Sequence, residues 1–172
     1  DNVDQNVGRL LAKLEKQRKL DNTLILFLVD NGASAERTLG KAPQHEWGTV
    51  GTFQAIGRNW ANVANTPMRL WKATSHEGGI NTPLIAHWPA GMKGNGELRH
   101  APSHIIDVAP TCLAAAGLPT KGMEGKSLLP VFAKDSKKAR TLYWEHEGNR
   151  AVRKGNYKLV AMHETPWELY DM

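Results

Sequence analysis

The sequence TLILFLVDNG at residues 23–32 gives the clearest indication of a fold. Its apolar residues follow one another without alternation, which is typical of a strand buried on both faces of a parallel sheet. The polar residues Asp30, Asn31 and Gly32 come directly after this strand. Ligands of open α/β sheets bind at the carboxyl ends of the strands. The sequence therefore predicts an α/β fold with a ligand site close to residues 30–34.

Further helical and extended segments flank this strand. Val or Leu at residues 7, 10, 11 and 14 has the spacing of an amphipathic helix, with Asp4 as the expected N-cap. Residues 83–88, PLIAHW, predict a second strand. Residues 110–116 predict a short helix that a glycine ends. The predicted order along this part of the chain is thus helix, strand, strand and helix.

The character of the sequence changes from Arg140 onward. Three β-rich segments separated by polar turns follow, at residues 142–146, 151–162 and 167–170. Short strands joined by polar turns predict a small antiparallel sheet. The lysine-rich residues 133–139 are the expected seam. We therefore expect residues 1–138 to belong to the α/β domain and residues 139–172 to begin a small C-terminal subdomain.

The composition limits the class of protein. The 172 residues include 22 Lys or Arg and 17 Asp or Glu, which gives a formal net charge of +5, and 41 % of the residues are apolar. This mixture excludes a disordered chain, a fibrous repeat and a disulfide scaffold, since there is a single cysteine. No apolar run approaches the roughly 20 residues that span a bilayer. A solvated surface accounts for the mild basic charge without a nucleic-acid partner.

Asp30 and Asn31 are the first candidate site residues. A carboxylate and an amide oxygen side by side are hard ligands of the kind that Ca²⁺ and Mg²⁺ prefer. The alternative is a simple turn, because Asp-Asn-Gly is also a common turn sequence with Gly32 at positive φ. The position directly after a buried strand favours the metal site.

Residues 72–84, KATSHEGGINTPL, form the second candidate site. Lys72 offers a compact cation for an anionic oxygen, and His76 can exchange protons near neutral pH. The alternative is a solvated loop in which the two glycines only lead into the next strand. The local sequence leaves both interpretations open.

Other reactive residues are less well supported. Cys112 lies in a short apolar helix, and we expect a buried structural thiol there rather than a nucleophile. His87 alternates with Ile85 on its strand, so we expect a packed core histidine. The sequence WEHE at residues 144–147 has one histidine between two acids, which is weak evidence for a metal site.

Residues 35 to about 70 show no sustained period, although they contain several glycines and prolines. A long loop without secondary structure is uncommon inside a compact domain and is usually functional. Trp47 and Trp60 lie in this segment. They either stack on a ring of a substrate or anchor the loop by hydrophobic contact.

Taken together, these segments resemble the C-terminal half of a type I sulfatase, of the arylsulfatase group in the alkaline-phosphatase-like superfamily. The resemblance covers nearly the whole chain, and the matching pieces stand in the order of the family. These pieces are GRLL at 8–11, VDNG at 29–32, HEGGI at 76–80, IDVAPT at 106–111, GKSL at 125–128, AVRKG at 151–155 and WELYD at 167–171. Each piece is only moderately specific, and their common order carries the resemblance.

The resemblance implies a fold and a set of roles. The fold would be a mainly parallel sheet flanked by helices, with a small C-terminal antiparallel subdomain. Asp30 and Asn31 would complete the site of a divalent cation, Ca²⁺ or alternatively Mg²⁺. Lys72 would contact the sulfate ester as a substrate-binding and catalytic residue. His76 lies where the family varies, so its catalytic role is inferred from proximity alone.

The same resemblance implies that this chain holds half of an active site. Sulfatases attack sulfur with a hydrated formylglycine made from Cys or Ser in a C/S-x-P-x-R motif, and then expel the sulfate as the aldehyde reforms. The 172 residues contain no such motif. We therefore expect the nucleophile upstream, in the missing N-terminal half of a longer protein, and an inactive isolated chain. Export to the periplasm or the medium is expected from the family.

Three alternatives concern the substrate and the class of protein. The resemblance implies a sulfate-ester small molecule or a sulfated carbohydrate as the partner. A phosphoryl or phosphonate hydrolase of the same superfamily is the nearest rival. The zinc and other transition-metal sites of such enzymes prefer imidazole beside carboxylate, whereas the residue after Asp30 is Asn, whose oxygen suits a hard ion. A non-catalytic domain that binds sulfated polysaccharide is the third, and it leaves the placement of the Asp-Asn-Gly sequence unexplained.

Overall fold

The computed structural model describes residues 1–36, 55–94, 96–136 and 140–172. The five α-helices within these ranges are α1 (Asn2–Lys16), α2 (Gly57–Ala64), α3 (Glu77–Ile80), α4 (Val108–Ala115) and α5 (Leu129–Ala133). The six strands are β1 (Ile25–Leu28), β2 (Leu84–His87), β3 (Thr141–His146), β4 (Asn149–Lys154), β5 (Tyr157–Ala161) and β6 (Glu168–Asp171). The chain forms two compact units, one of Asp1–Leu28 and Leu84–Lys138 and the other of Val29–Pro83 and Ala139–Met172.

The first helix confirms the amphipathic pattern but begins earlier than expected. Asp1 occupies the N-cap position of α1, and Asp4 lies inside the first turn rather than at the cap. A carboxylate there still interacts favourably with the positive end of the helix dipole. Lys13 and Lys16 lie in the last turn, where they complement its negative end.

The pairing of β1 corrects one expectation. The two predicted strands exist, but β1 pairs antiparallel with β2, in a register from Ile25 opposite His87 to Leu28 opposite Leu84. Phe27 is 44 % exposed, so the strand is not covered on both faces by the described residues. His87 is exposed rather than packed in a core. A continuous apolar run indicates that a strand is stabilised by burial against other elements. It does not specify the direction of the neighbouring strand.

A buried carboxylate organises the rest of the first unit. Asp107 is 0 % exposed, and its side chain accepts hydrogen bonds from the backbone N–H groups of His104 (2.9 Å) and Lys126 (2.8 Å). Thr111, one turn into α4, accepts from the N–H of Leu128 at 2.8 Å. These bonds fix α4 against residues 126–128, and the expected short helix is confirmed.

The second unit contains the antiparallel sheet expected near the C-terminus. Its strand order is β3-β4-β5-β6, and each strand pairs antiparallel with the next. The segment 151–162 was expected to be one strand, but it is split between β4 and β5. Gly155 has φ +60°, and a glycine at positive φ favours the tight turn between them. The core of this unit includes Leu142, Ala151 and Val160.

The long loop expected from residue 35 to about 70 is only partly loop. Residues 57–64 form the helix α2, whose two turns lack a long apolar periodicity that the sequence would reveal. Residues 37–54 lie outside the described residues. Within the described ranges, no helix has the length and apolar character needed to cross a membrane.

Candidate active site

The two candidate segments lie side by side in the second unit. The N–H of Gly32 donates to the carbonyl oxygen of Gly79 at 2.9 Å, and the N–H of Lys72 donates to that of Ala33 at 3.1 Å. A Cβ atom added to Gly32 would lie 1.7 Å from the carbonyl oxygen of Gly78. Only glycine fits so close an approach. The Asp-Asn-Gly loop is therefore held directly against the Gly-Gly turn.

Asp30 and Asn31 have the chemistry that a hard cation needs. Asp30 is exposed, and its carboxylate forms no hydrogen bond or ion pair within the described part of the chain. Asn31 is half-buried, and its Nδ2 donates to the Gly32 carbonyl oxygen at 2.9 Å, which leaves Oδ1 as an open acceptor. The carboxylate and amide oxygens of these two residues fit Ca²⁺ or Mg²⁺, although they supply only part of the six to eight ligands that Ca²⁺ takes.

Lys72 presents its ammonium group beside this loop. Its side chain is 38 % exposed, and Nζ lies 3.2 Å from Oε1 of Glu36. The hydrogen bond from Lys72 lowers the pKa of the Glu36 carboxyl group, with a smaller contribution from Ser34. Because both partners are in contact with solvent, an anionic ligand can replace Glu36 at little cost.

His76 occupies a different environment from Lys72. It is 2 % exposed and takes the N-cap position of α3. Its Nε2 lies 3.5 Å from Oε1 of Glu168, which is longer than a well-formed hydrogen bond, and neither ring nitrogen has a hydrogen-bond partner among the described residues. Burial lowers the pKa of His76, and the Glu168 carboxylate opposes that shift. The ring is therefore neutral at neutral pH.

Two ion pairs at this site were not expected from the sequence. Glu168 on β6 forms an ion pair with Arg69, and both side chains bond the Tyr170 hydroxyl group. Lys158 on β5 places Nζ 2.5 Å from Oε1 of Glu77. The Lys158 and Glu77 residues are 81 positions apart, so no local spacing connects them. The only signal was that Glu77 falls within HEGGI, one of the pieces that carry the family resemblance.

The remaining candidates have other environments. Cys112 on α4 is exposed, which corrects the expectation of a buried thiol: a short helix with apolar residues on all sides does not reveal which side faces solvent. Trp60 is 69 % exposed on α2, and Trp47 lies outside the described residues. No group of three or more His, Cys, Asp or Glu side chains that could hold a metal ion occurs in the described ranges, the WEHE sequence included.

Comparison with known families covers the chain with two overlapping models. Residues 1–118 match the model described as sulfatase. Residues 70–172 match the model described as N-sulphoglucosamine sulphohydrolase, C-terminal.

Individual relatives give the same result. An uncharacterized sulfatase of Schizosaccharomyces pombe is 32 % identical over 200 aligned residues, which cover 99 % of this chain and 36 % of that protein. An arylsulfatase of Klebsiella aerogenes is 34 % identical, over 76 % of this chain and 31 % of its own length. An N-acetylgalactosamine-6-sulfatase of Mus musculus is 32 % identical over 91 % of this chain and 27 % of its own length. The chain thus spans about a third of the curated relatives that it matches.

Solved structures agree with the fold. Ps i-CgsB, determined in complex with k-i-k-neocarrahexaose, superposes with a TM-score of 0.71 at 25 % identity, over 98 % of this chain and 34 % of that one. BT4656, determined in complex with its substrate D-glucosamine-2-N,6-O-disulfate, superposes with a TM-score of 0.68 at 26 % identity, over 99 % of this chain and 32 % of that one. The expected fold class, α/β with a C-terminal antiparallel sheet, is confirmed.

Proposed function

The chain belongs to the sulfatase family, and we propose that the protein carrying it hydrolyses sulfate esters in the manner of an arylsulfatase. One observation carries the proposal beyond family membership. The Asp30–Asn31 loop and the Lys72 segment are joined by two backbone hydrogen bonds, so oxygen ligands and a cation flank one region of the second unit. A sulfate ester concentrates negative charge on its oxygens, and such a region stabilises that charge.

Asp30 and Asn31 are the proposed ligands of a divalent cation, Ca²⁺ or alternatively Mg²⁺. The support is the open Asp30 carboxylate and the free Oδ1 of Asn31. When bound, the cation would supply a fixed positive charge to the sulfate oxygens. The further ligands would come from outside these two residues.

Lys72 is the proposed contact to the sulfate ester. In the absence of substrate its ammonium group pairs with the exposed Glu36 carboxylate, so an anionic substrate would take the place of Glu36. His76 is retained as a candidate for proton transfer, because its ring is neutral and its nitrogens have no hydrogen-bond partner in the described ranges. Its burial requires that the substrate or a small rearrangement reach the ring.

The nucleophile is proposed to lie outside these 172 residues. Covalent catalysis by this family needs a formylglycine from a C/S-x-P-x-R motif, and the sequence contains none. Cys112 is followed by Leu113 and Ala114, so it does not begin such a motif. The chain would thus supply one part of a site that the rest of the polypeptide completes.

A sulfated carbohydrate is the substrate class that we propose. BT4656 has D-glucosamine-2-N,6-O-disulfate as its substrate, and one of the two family models describes a sulphohydrolase of a sulphated glucosamine.

The test is a rate measurement on the complete gene product with a chromogenic aryl sulfate, a sulfated glucosamine and the matching aryl phosphate. Sulfate release from the first two is expected. Faster turnover of the phosphate would instead support a phosphoryl hydrolase, and binding of heparin without turnover would support a binding domain.

A further inference from the structure

Lys158 is the largest side chain that the described structure buries completely. It lies on β5 with 1 % of its side chain exposed. A buried ammonium group is strongly unfavourable unless it is paired. Two contacts compensate it: Nζ lies 2.5 Å from Oε1 of Glu77 and 5.3 Å from the centre of the Trp144 ring. The ion pair is therefore a directional link from β5 to the first residue of α3.

The carboxylate of Glu77 is held at both of its oxygens. Oε1 accepts from Lys158, and Oε2 accepts from Nδ2 of Asn81 at 2.9 Å. The two glycines that follow Glu77 are buried. A Cβ added to Gly78 would lie 2.1 Å from the carbonyl oxygen of Leu70, so the backbone around the turn is already in close contact. The position of the Glu77 carboxylate thus fixes the position of the turn.

The Gly78–Gly79 turn also supports the proposed metal-binding loop at Asp30 and Asn31. The carbonyl oxygen of Gly79 accepts from the N–H of Gly32, which follows Asp30 and Asn31 directly. A movement of the turn by a few tenths of an ångström would strain that bond and displace the loop. The chain of contacts from Lys158 to Asp30 lies entirely within the second unit.

We propose that Lys158 is a positioning residue that acts through Glu77, setting the place of the Gly78–Gly79 turn and thereby of the Asp30–Asn31 loop. The proposal deepens the proposed function and rests on it for the role of the loop. Lys158 itself touches no reacting group. The antiparallel sheet therefore contributes to the site by holding it, in addition to its own packing.

The test is amide hydrogen exchange on the complete gene product. Lys158→Met leaves a carboxylate unpaired, so the decisive variant is the double substitution Lys158→Met with Glu77→Gln, which removes both charges and the link to β5. We expect exchange in a peptide covering residues 29–36 to be about tenfold faster than in the wild type, a factor typical of coupled sites. A peptide from α4 should be unchanged. The matched control is Lys154→Met, an exposed lysine on the neighbouring strand, which should leave both peptides unchanged.

The affinity for Ca²⁺ alone, measured by calorimetry, gives a second readout. We expect the double variant to bind Ca²⁺ about tenfold more weakly than the wild type. A folded double variant with wild-type exchange at residues 29–36 would overturn the proposal. Failure of the double variant to fold would overturn it as well, since the pair would then serve the whole fold and not the loop. A wild-type protein without sulfatase activity would contradict the proposed function and leave the exchange result valid.

Discussion

At the scale of single residues, Lys72 carries the most direct expectation. A lysine that stabilises charge on the sulfate ester in the transition state contributes about 10²–10³-fold to turnover. We expect Lys72→Ala in the complete protein to lower kcat by that factor. An ordinary half-exposed lysine changes stability by at most about 0.5 kcal/mol and activity hardly at all. Steady-state kinetics on a chromogenic sulfate ester makes the measurement.

The control for this substitution is Lys72→Arg together with a melting curve. The broad planar guanidinium group does not replace a compact ammonium group, so little rescue is expected. The melting temperature should be nearly unchanged in both variants. A Lys72→Ala protein within threefold of wild-type turnover would place Lys72 on the solvated surface instead.

A substitution of Glu36 tests the same site, and here we expect an improvement in substrate binding rather than a loss of activity. Its carboxylate pairs with Lys72 at 3.2 Å, and an anionic substrate bound to Lys72, as proposed, would displace it. Exposed ion pairs are weak, and the loss of one changes binding by at most about fivefold. We expect Glu36→Gln to lower KM for a sulfate ester by up to about fivefold, with kcat unchanged. An increase in KM would show that Glu36 itself contacts the substrate.

The buried His76 predicts how stability depends on pH. Burial lowers its pKa in the folded protein from the ordinary 6.5. The Glu168 carboxylate opposes this shift, and the positive charges of Arg69 and Lys158 add to it. The unfolded chain therefore takes up a proton below about pH 6.5 that the folded chain does not, and stability falls as the pH drops through that range. We expect melting temperatures between pH 7 and pH 5 to decrease more in the wild type than in His76→Phe. Parallel pH profiles would contradict a buried neutral ring.

At the scale of elements, two glycines give opposite expectations for the same substitution. Gly32 meets the Gly78 carbonyl oxygen, and an added Cβ would approach it to 1.7 Å, so Gly32→Ala forces the backbone apart. We expect a loss of about 1–3 kcal/mol in the free energy of unfolding. Gly8 lies within α1 with nothing within 4 Å of an added Cβ, and Gly8→Ala should stabilise by about 0.5–1 kcal/mol. Chemical denaturation of both variants tests the contrast, and equal effects would refute it.

Local patterns predicted the elements whose signals are local. The amphipathic spacing in α1, the apolar run of β1 and the glycine after α4 each act within a few residues, and these elements formed within a few residues of the expected bounds. The direction of the strand beside β1 depends on residues 84–87, which no period in β1 encodes. The split at Gly155 depends on one positive φ value within a β-rich segment, and periodicity does not detect it.

For the candidate site as well, local sequence indicated some residues and missed those that come from distant parts of the chain. The sequence marked residues 30–32 and the Lys72 segment separately as candidates, and the backbone hydrogen bonds show that the two lie together. The partners Glu168 and Lys158 come from the antiparallel sheet, far along the chain. Such contacts depend on tertiary packing, and the local pattern of a single sequence does not predict them.

At the scale of the whole molecule, the expected affinity for metal follows from the count of ligands. Asp30 and Asn31 offer at most three side-chain oxygens, two from the carboxylate and one from the amide, whereas Ca²⁺ takes six to eight ligands. We expect the isolated 172-residue chain to bind Ca²⁺ weakly or not at all, and the complete gene product to bind it tightly. Calorimetry on both proteins makes the comparison. Micromolar affinity in the isolated chain would contradict the assignment of a shared site.

The same division predicts the activity of the isolated chain. The chain spans about a third of its curated relatives, and its sequence contains no C/S-x-P-x-R motif. Covalent catalysis requires a nucleophile, and without one the proposed cation site and the proposed sulfate contact of Lys72 would have no attacking group to assist. We expect the 172-residue chain to release no product from a chromogenic aryl sulfate under conditions in which the complete protein turns over. Because Cys112 is exposed and can react, alkylation of this thiol is the control. Activity that alkylation abolishes would make Cys112 a nucleophile, and the proposed division of the active site would then be wrong.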